Sequence, residues 1–281
     1  MIPTLDPEVL GQWVGRREKR LDVIDAGHAR AMQATLDLEP SLQDGDVLPA
    51  LWHWLYFLDH SRTAELATDG LADASPILPP IDLPNRMWAG ARFEFSAPVI
   101  IGQMVERERE VISVNLKQGS SGPLCFVTLM DSFRADARLL FSEAHEIVYR
   151  TPPQKGASPK VEMPYLEETS ETVVPGPILL FRYSALTFNS HRIHYDPDYC
   201  REEEGYPGAL VHGPLTATLL CDFAERLCPK PISRFRLKAT APLFSGQPIR
   251  LAGRILEGRA HVWAVTSEGG LAMDAEADFL A

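Results

Sequence analysis

The chain has 281 residues, 45% hydrophobic and 23% charged, with a formal net charge of -11. That is a globular composition, and its acidity excludes a general nucleic-acid binder, because phosphate contacts need clustered Lys and Arg. The opening MIPTLDPEVLGQWVGRREKR has no basic region followed by an apolar core, so no signal peptide is expected. ALWHWLYFL (50–58) is apolar nearly all round, as a buried helix would be, and is far too short to span a membrane. After it, APVIIGQMV leads into the alternating VEREREVISV, which reads as a strand, and AHEIVYR is strand-like too.

Residues 151–168, TPPQKGASPKVEMPYLEE, are rich in Pro and charge and read as a linker between two segments of similar length. Beyond it come GPILLF, the polar cluster FNSHRIHYDPDY (188–199) and LVHGPLTATLLCDFAERL (210–227). The last has Leu215, Leu219, Phe223 and Leu227 on one stripe, with Pro214 suited to a first helical turn. RFRLKATAPL, PIRLAGRILEG, AHVWAVTSEGG and LAMDAEADFLA then read as strands of an antiparallel sheet. APLFSGQPI repeats the Ala-Pro-x-x-x-Gly-Gln spacing of APVIIGQMV 144 residues on (Ala97, Ala241), which points to duplication.

Four cysteines, Cys125, Cys200, Cys221 and Cys228, form no C-x-x-C pair, so no zinc knuckle is expected, and so few fit a reducing, cytoplasmic compartment. On its residues alone the 188–199 cluster admits a solvated loop, a metal site through His191 and His194, or an acid–base centre. The metal reading lacks a third ligand at a telling spacing; histidine is the side chain suited to moving protons near neutral pH. His212-Gly213-Pro214 at the head of an apolar helix offers free backbone N–H groups and the positive end of the helix dipole, an arrangement for a developing oxyanion. It is equally an ordinary helix start.

Residues 178–220 resemble the signature region of the R-specific enoyl-CoA hydratases, the MaoC-like branch of the hot dog fold. That family's motif runs Gly, Asp, any residue, Asn, Pro, an apolar residue, His, any residue, then often Asp-Pro. Here Ile193, His194 and Asp196-Pro197 keep it, while Asn189 stands at the catalytic Asp and His191-Arg192 at Asn-Pro. LVHGPLTA is similar to the family's His-Gly lead into the central helix. FNSHRIHYD, with RMWAGARFEF (86–95) and SSGPLCFVT (120–128), resembles the two-hot-dog mesaconyl-CoA and itaconyl-CoA hydratases, relatives of the mitochondrial-type 3-hydroxyacyl-thioester dehydratases.

The resemblance implies an α+β double hot dog, two tandem folds each with an antiparallel sheet wrapped around a long helix. A degenerate hot dog would occupy 1–150, the linker 151–168, and a hot dog carrying the motif 169–281. It implies reversible hydration of a short dicarboxylic enoyl-CoA, itaconyl-CoA or mesaconyl-C4-CoA, to citramalyl-CoA. His194 would be the base, Asn189 its companion, and Gly213 with His212 the holders of the thioester. Arg192, or less directly Arg182 or Arg86, would meet the free carboxylate. No metal or cofactor, nucleic acid or membrane partner is expected beyond the CoA thioester, and a homodimer is compatible with the sequence. A 3-hydroxyacyl-thioester dehydratase of fatty-acid synthesis, a hot dog thioesterase using Asp196 or Glu202 to Glu204, and a non-catalytic acyl-CoA binder are the alternatives. Trp52, Trp54 and Trp88 stand as candidates either for core or for the walls of an acyl space.

Overall fold

The computed structural model describes residues 5–73, 75–83, 85–119, 122–151 and 165–280. In chain order the elements are α1 (Pro7–Gly11), β1 (Arg17–Val23), α2 (Ala26–Thr35), β2 (Asn85–Phe95), β3 (Met104–Gly119), β4 (Gly122–Ala135) and β5 (Arg138–Arg150). There follow β6 (Thr169–Val173), α3 (Pro177–Leu186), α4 (Pro197–Glu202), α5 (Gly213–Leu227), β7 (Ile232–Ala239), β8 (Ile249–Leu256), β9 (Arg259–Val265) and β10 (Leu271–Phe279).

All ten strands join one sheet in the order β1-β3-β4-β5-β2-β7-β10-β9-β8-β6, and every pairing is antiparallel. Taken from the two edges inward, the halves read 1-3-4-5-2 and 6-8-9-10-7, the same path traced twice. They meet where β2 pairs with β7, Phe93 opposite Phe235, and one apolar core containing both rings runs across that seam. This is the double hot dog.

In the second half the sheet curves around α5. Pro214 sits in its first turn, where a missing N–H costs nothing. Leu215, Leu220, Phe223 and Ala224 are buried, a wider face than the Leu215-Leu219-Phe223-Leu227 stripe, because the concave sheet wraps more than one side of the helix. Each fully buried Leu or Phe contributes roughly 1.5–3 kcal/mol. The contact with β8 is close enough that a Cβ on Gly253 would meet Phe223 and Leu227 at 3.0 Å.

The Ala-Pro-x-x-x-Gly-Gln recurrence gives the two halves a common reference. Leu48 donates its N–H to Val99 O at 2.9 Å, and Val211 donates to Leu243 O at 2.8 Å. Val99 and Leu243 are the third residues of the two copies. The chain following Leu48 therefore corresponds to α5, and it is ALWHWLYFL. There the expected buried helix is corrected: only a single 3-10 turn forms, Trp52–Leu55. Leu51 before it and Phe57 after it have φ of 66° and 55°, left-handed conformations that break a right-handed helix. The segment is buried as expected, with Trp52 3% exposed, but as a turn. An α-helix of fifteen residues is about 22 Å long, so one turn in its place spans a much shorter stretch of the sheet. Of the 151–168 linker, 152–164 lie outside the described residues; β5 ends at Arg150 and β6 begins at Thr169.

Candidate active site

The 188–199 cluster is a turn between α3 and α4. Phe188 adopts φ 47°, and Asn189 N–H returns to Ser184 O at 2.8 Å, closing α3. Asn189 Oδ1 accepts the N–H of His191 at 3.0 Å, a side-chain turn typical of Asn. A 3-10 turn, Arg192–His194, follows, and Asp196 then caps α4 by accepting the N–H of Tyr199 at 3.0 Å. Leu210 donates to Ile193 O at 2.7 Å and fastens this turn to the segment leading into α5.

Three imidazoles meet there. His194 and His212 stack with ring centroids 3.7 Å apart, and His191 stands edge-on to His194 at 5.6 Å. His194 Nδ1 lies 2.9 Å from Leu210 O, which can only accept, so Nδ1 carries the proton and Nε2 presents a lone pair. Burial pushes His194 down to about 4 despite that bond, with His191 adding to the effect. Burial, then the Arg86 charge, brings His191 to about 4, and burial beside two imidazoles takes His212 to about 2. All three are neutral at neutral pH. His212 is 1% exposed and its Nε2 lies 2.8 Å from Ser184 Oγ. Its ring backs His194.

Gly213 opens α5, and no side chain caps the helix. The N–H groups of Gly213 and Leu215 precede the first helical acceptor, and Pro214 between them has none. The glycine is required by packing: a Cβ there would lie 2.8 Å from the Trp88 ring.

These residues border a cavity of about 1820 Å³ that both halves of the chain line. Its walls include Asn189, His191, His194, His212 and Gly213, with Trp54, Trp88 and Arg86 from the first half. The cavity continues to β3–β5, whose Arg107, Arg109, Asp131, Phe133 and Glu143 also line it. That end is polar. Glu143, 1% exposed, is 2.9 Å from His53 Nε2 and accepts from Trp54 Nε1 at 3.1 Å. Asp131, also 1% exposed, binds Arg109 through two bonds of 2.8 and 2.6 Å. Of the three tryptophans, Trp54 and Trp88 are therefore walls, and Trp52 is core.

Arg192 is the site residue that the fold does not bring in. It is not among the cavity-lining residues. Its guanidinium is bonded to Asp196 at 3.1 and 2.8 Å, donates to Thr68 O at 3.1 Å and lies 4.1 Å over the Tyr199 ring. These contacts hold the turn and keep the fork out of the cavity, so the expected contact with a substrate carboxylate is corrected. Asp196, cap and ion-pair partner at once, is likewise occupied. Arg182 is turned to Ala34 O on α2.

A first-half loop, 66–72, is strapped over the turn. Arg192 N–H donates to Asp69 O at 2.8 Å and Ser190 Oγ to Gly70 O at 2.6 Å. Asp69 thereby reaches within 4.0 Å of His191 Nε2. Asp69, Gly70 and Ser184 were not identifiable from the sequence, since no spacing signal links 69 to 190; His191 stood in the quoted motif, weighed only as a metal ligand.

A family model described as hydroxyacyl-thioester dehydratase type 2 matches residues 51–245. The mesaconyl-C(4)-CoA hydratase of Chloroflexus aurantiacus is 43% identical over 266 residues, covering 94% of this chain and 95% of that one. Among solved structures, a MaoC-like dehydratase superposes with a TM-score of 0.73 at 16% identity, over 96% of this chain and all (100%) of the other. A double hot dog protein from Mycobacterium tuberculosis does so with 0.57 at 16% identity, over 94% and 95% of the two chains. With its double hot dog fold, its histidine-bearing turn and these matches in agreement, the chain belongs to the hydroxyacyl-thioester dehydratase type 2 family.

Proposed function

We propose that the protein reversibly hydrates mesaconyl-C4-CoA to citramalyl-CoA, with His194 as the base. The observation that carries the mechanism is the unbonded Nε2 of a tautomer-fixed His194 on a cavity wall beside the N-terminus of α5. Water gives a proton to Nε2 while its oxygen adds to the β-carbon. Electron density moves to the thioester oxygen, where the Gly213 N–H and the positive end of the α5 dipole stabilise the enolate. The imidazolium then returns the proton to the α-carbon. Asn189 spends Oδ1 on His191 N–H, so its Nδ2 remains to donate to the water oxygen and aim a water hydrogen at His194. An amide cannot exchange that proton, so one imidazole both removes and delivers it.

Two features support a short polar acyl group. The far wall of the cavity carries buried Glu143, Asp131 and Arg109, against which a long apolar tail would leave ionised groups desolvated. The relative at 43% identity is named for mesaconyl-C4-CoA. Of the two dicarboxylic substrates, mesaconyl-C4-CoA has its double bond conjugated to the thioester. In itaconyl-CoA it lies one carbon further away, so water addition creates no enolate for α5 to hold. In this reading 1–150 is a degenerate hot dog supplying walls, 151–168 connects, and 169–281 does the chemistry. The free cysteines fit a cytoplasmic, reducing setting.

The test is kcat/KM on mesaconyl-C4-CoA, crotonyl-CoA and longer enoyl-CoA thioesters, with mass spectrometry for the gain of one water. Preference for the dicarboxylic substrate is expected. A clear preference for crotonyl or longer chains would replace this reading with the fatty-acid dehydratase one, and release of free CoA thiol would replace it with a thioesterase.

A further inference from the structure

We propose that Arg86 is the subsite for the substrate's free carboxylate. The proposal rests on the hydratase reading for the identity of the substrate, and on the cavity alone for the subsite. The arginines in the cavity wall are Arg20, Arg86, Arg107, Arg109 and Arg150. Arg20 and Arg107 are paired with Glu18, and Arg109 with Asp131. Arg150 turns its Nε to Thr151 O at 3.1 Å. Among the described residues Arg86 has no carboxylate partner. The nearby cavity carboxylate, Glu204, is taken by Asn85 Nδ2 at 2.7 Å and Tyr199 Oη at 3.4 Å.

Position makes that unpaired charge useful. Arg86 and Trp88 are two residues apart on β2 ahead of its irregularity, so they share a face about 7 Å apart along the strand. The Trp88 ring lies against Gly213, where the thioester oxygen is placed. Arg86 therefore projects from the same face of β2 as the Trp88 ring that packs on the head of α5. It is also near enough to His191 for its charge to disfavour the imidazolium there. It also lies close enough to the buried Tyr149 hydroxyl for its charge to favour the phenolate there, although burial pushes that group up overall.

The chemistry requires such a group. In mesaconyl-C4-CoA the carboxylate sits on the β-carbon that water attacks. Unpaired, it would be desolvated in the cavity and would repel both the incoming hydroxide equivalent and the enolate that forms. A guanidinium bound to both carboxylate oxygens removes the repulsion and selects the dicarboxylic substrate over its neutral counterpart.

An arginine in a CoA cavity has a second potential anion, the phosphates of CoA, and the experiment separates the two. Succinyl-CoA and butyryl-CoA are saturated, are not hydrated, and differ by carboxylate against methyl. Dissociation constants for both are measured by calorimetry with the native protein, Arg86→Gln and Arg86→Lys, after circular dichroism has matched their folds. The native protein should bind succinyl-CoA at least about tenfold more tightly, Arg86→Gln should abolish the difference while leaving butyryl-CoA within a few-fold, and Arg86→Lys should keep part of it. Equal loss of both ligands in Arg86→Gln would assign the residue to the phosphates and overturn the proposal; so would a native protein without preference. Turnover of mesaconyl-C4-CoA tests the hydratase reading separately, so the two can fail independently.

Discussion

His194 can accept a proton only while its Nε2 is free, and three constraints keep it so: the Leu210 carbonyl on Nδ1, the neutral His212 ring stacked at 3.7 Å, and burial. Because burial brings the imidazole to about 4, the base stays unprotonated well below the ordinary histidine range. The acid limb of kcat/KM should therefore fall as pH drops through about 4, not through the roughly 6.5 of a free imidazole. A stopped-assay profile from pH 4 to 8 checks this, and an acid limb centred near 6.5 would mean that His194 is more solvated than its surroundings imply. His194→Ala should lower kcat by at least roughly a hundredfold with little change in KM, since the imidazole acts on the transition state. A folded variant that keeps native turnover would remove His194 from the mechanism.

The 66–72 loop belongs to the first half yet is bonded to the turn that carries the histidines. Gly70 has φ 85°, and a Cβ on it would lie 2.0 Å from Ser190 O, a backbone atom that cannot step aside. Gly70→Ala should lift the loop from the turn at a cost of about 1–3 kcal/mol, from the left-handed backbone and the lost bonds. The expected result is a lower Tm together with a larger drop in kcat/KM than Tm alone explains, because Asp69 and Thr68 hold His191 and Arg192 in place. Native activity in Gly70→Ala would show that the strap does not position the site.

Across the whole molecule, the buried histidines tie stability to acidity. His191, His194 and His212 are all held well below the unfolded value of about 6.5. The unfolded chain therefore binds more protons than the native one below that pH. Their contribution is complete above about 6.5 and is lost progressively as pH falls through about 4. The urea midpoint should decline steadily from pH 6.5 to 4; a midpoint flat over that range would show that these rings are hydrated in the native state.

Local signals in the sequence marked β3, β5, β7 to β10 and α5, and singled out His194 and Gly213, which the fold brings to one cavity. The period-2 runs, Pro214 ahead of an apolar helix and the Ile193-His194 and Asp196-Pro197 pattern are all written within a few residues. The Ala-Pro-x-x-x-Gly-Gln recurrence likewise revealed the duplication, because a repeated backbone path needs the same turn glycines, Gly102 and Gly246, both at positive φ. What only the tertiary structure decided depends on which groups meet over long separations. The apolarity of ALWHWLYFL specified burial but not helix, since a buried turn and a buried helix hide the same side chains. Arg192 and Arg86 are chemically identical in the sequence. Asp196, four residues on, and the Thr68 carbonyl claimed the first for structure, while the pleat of β2 set the second in the cavity wall with no carboxylate partner among the described residues.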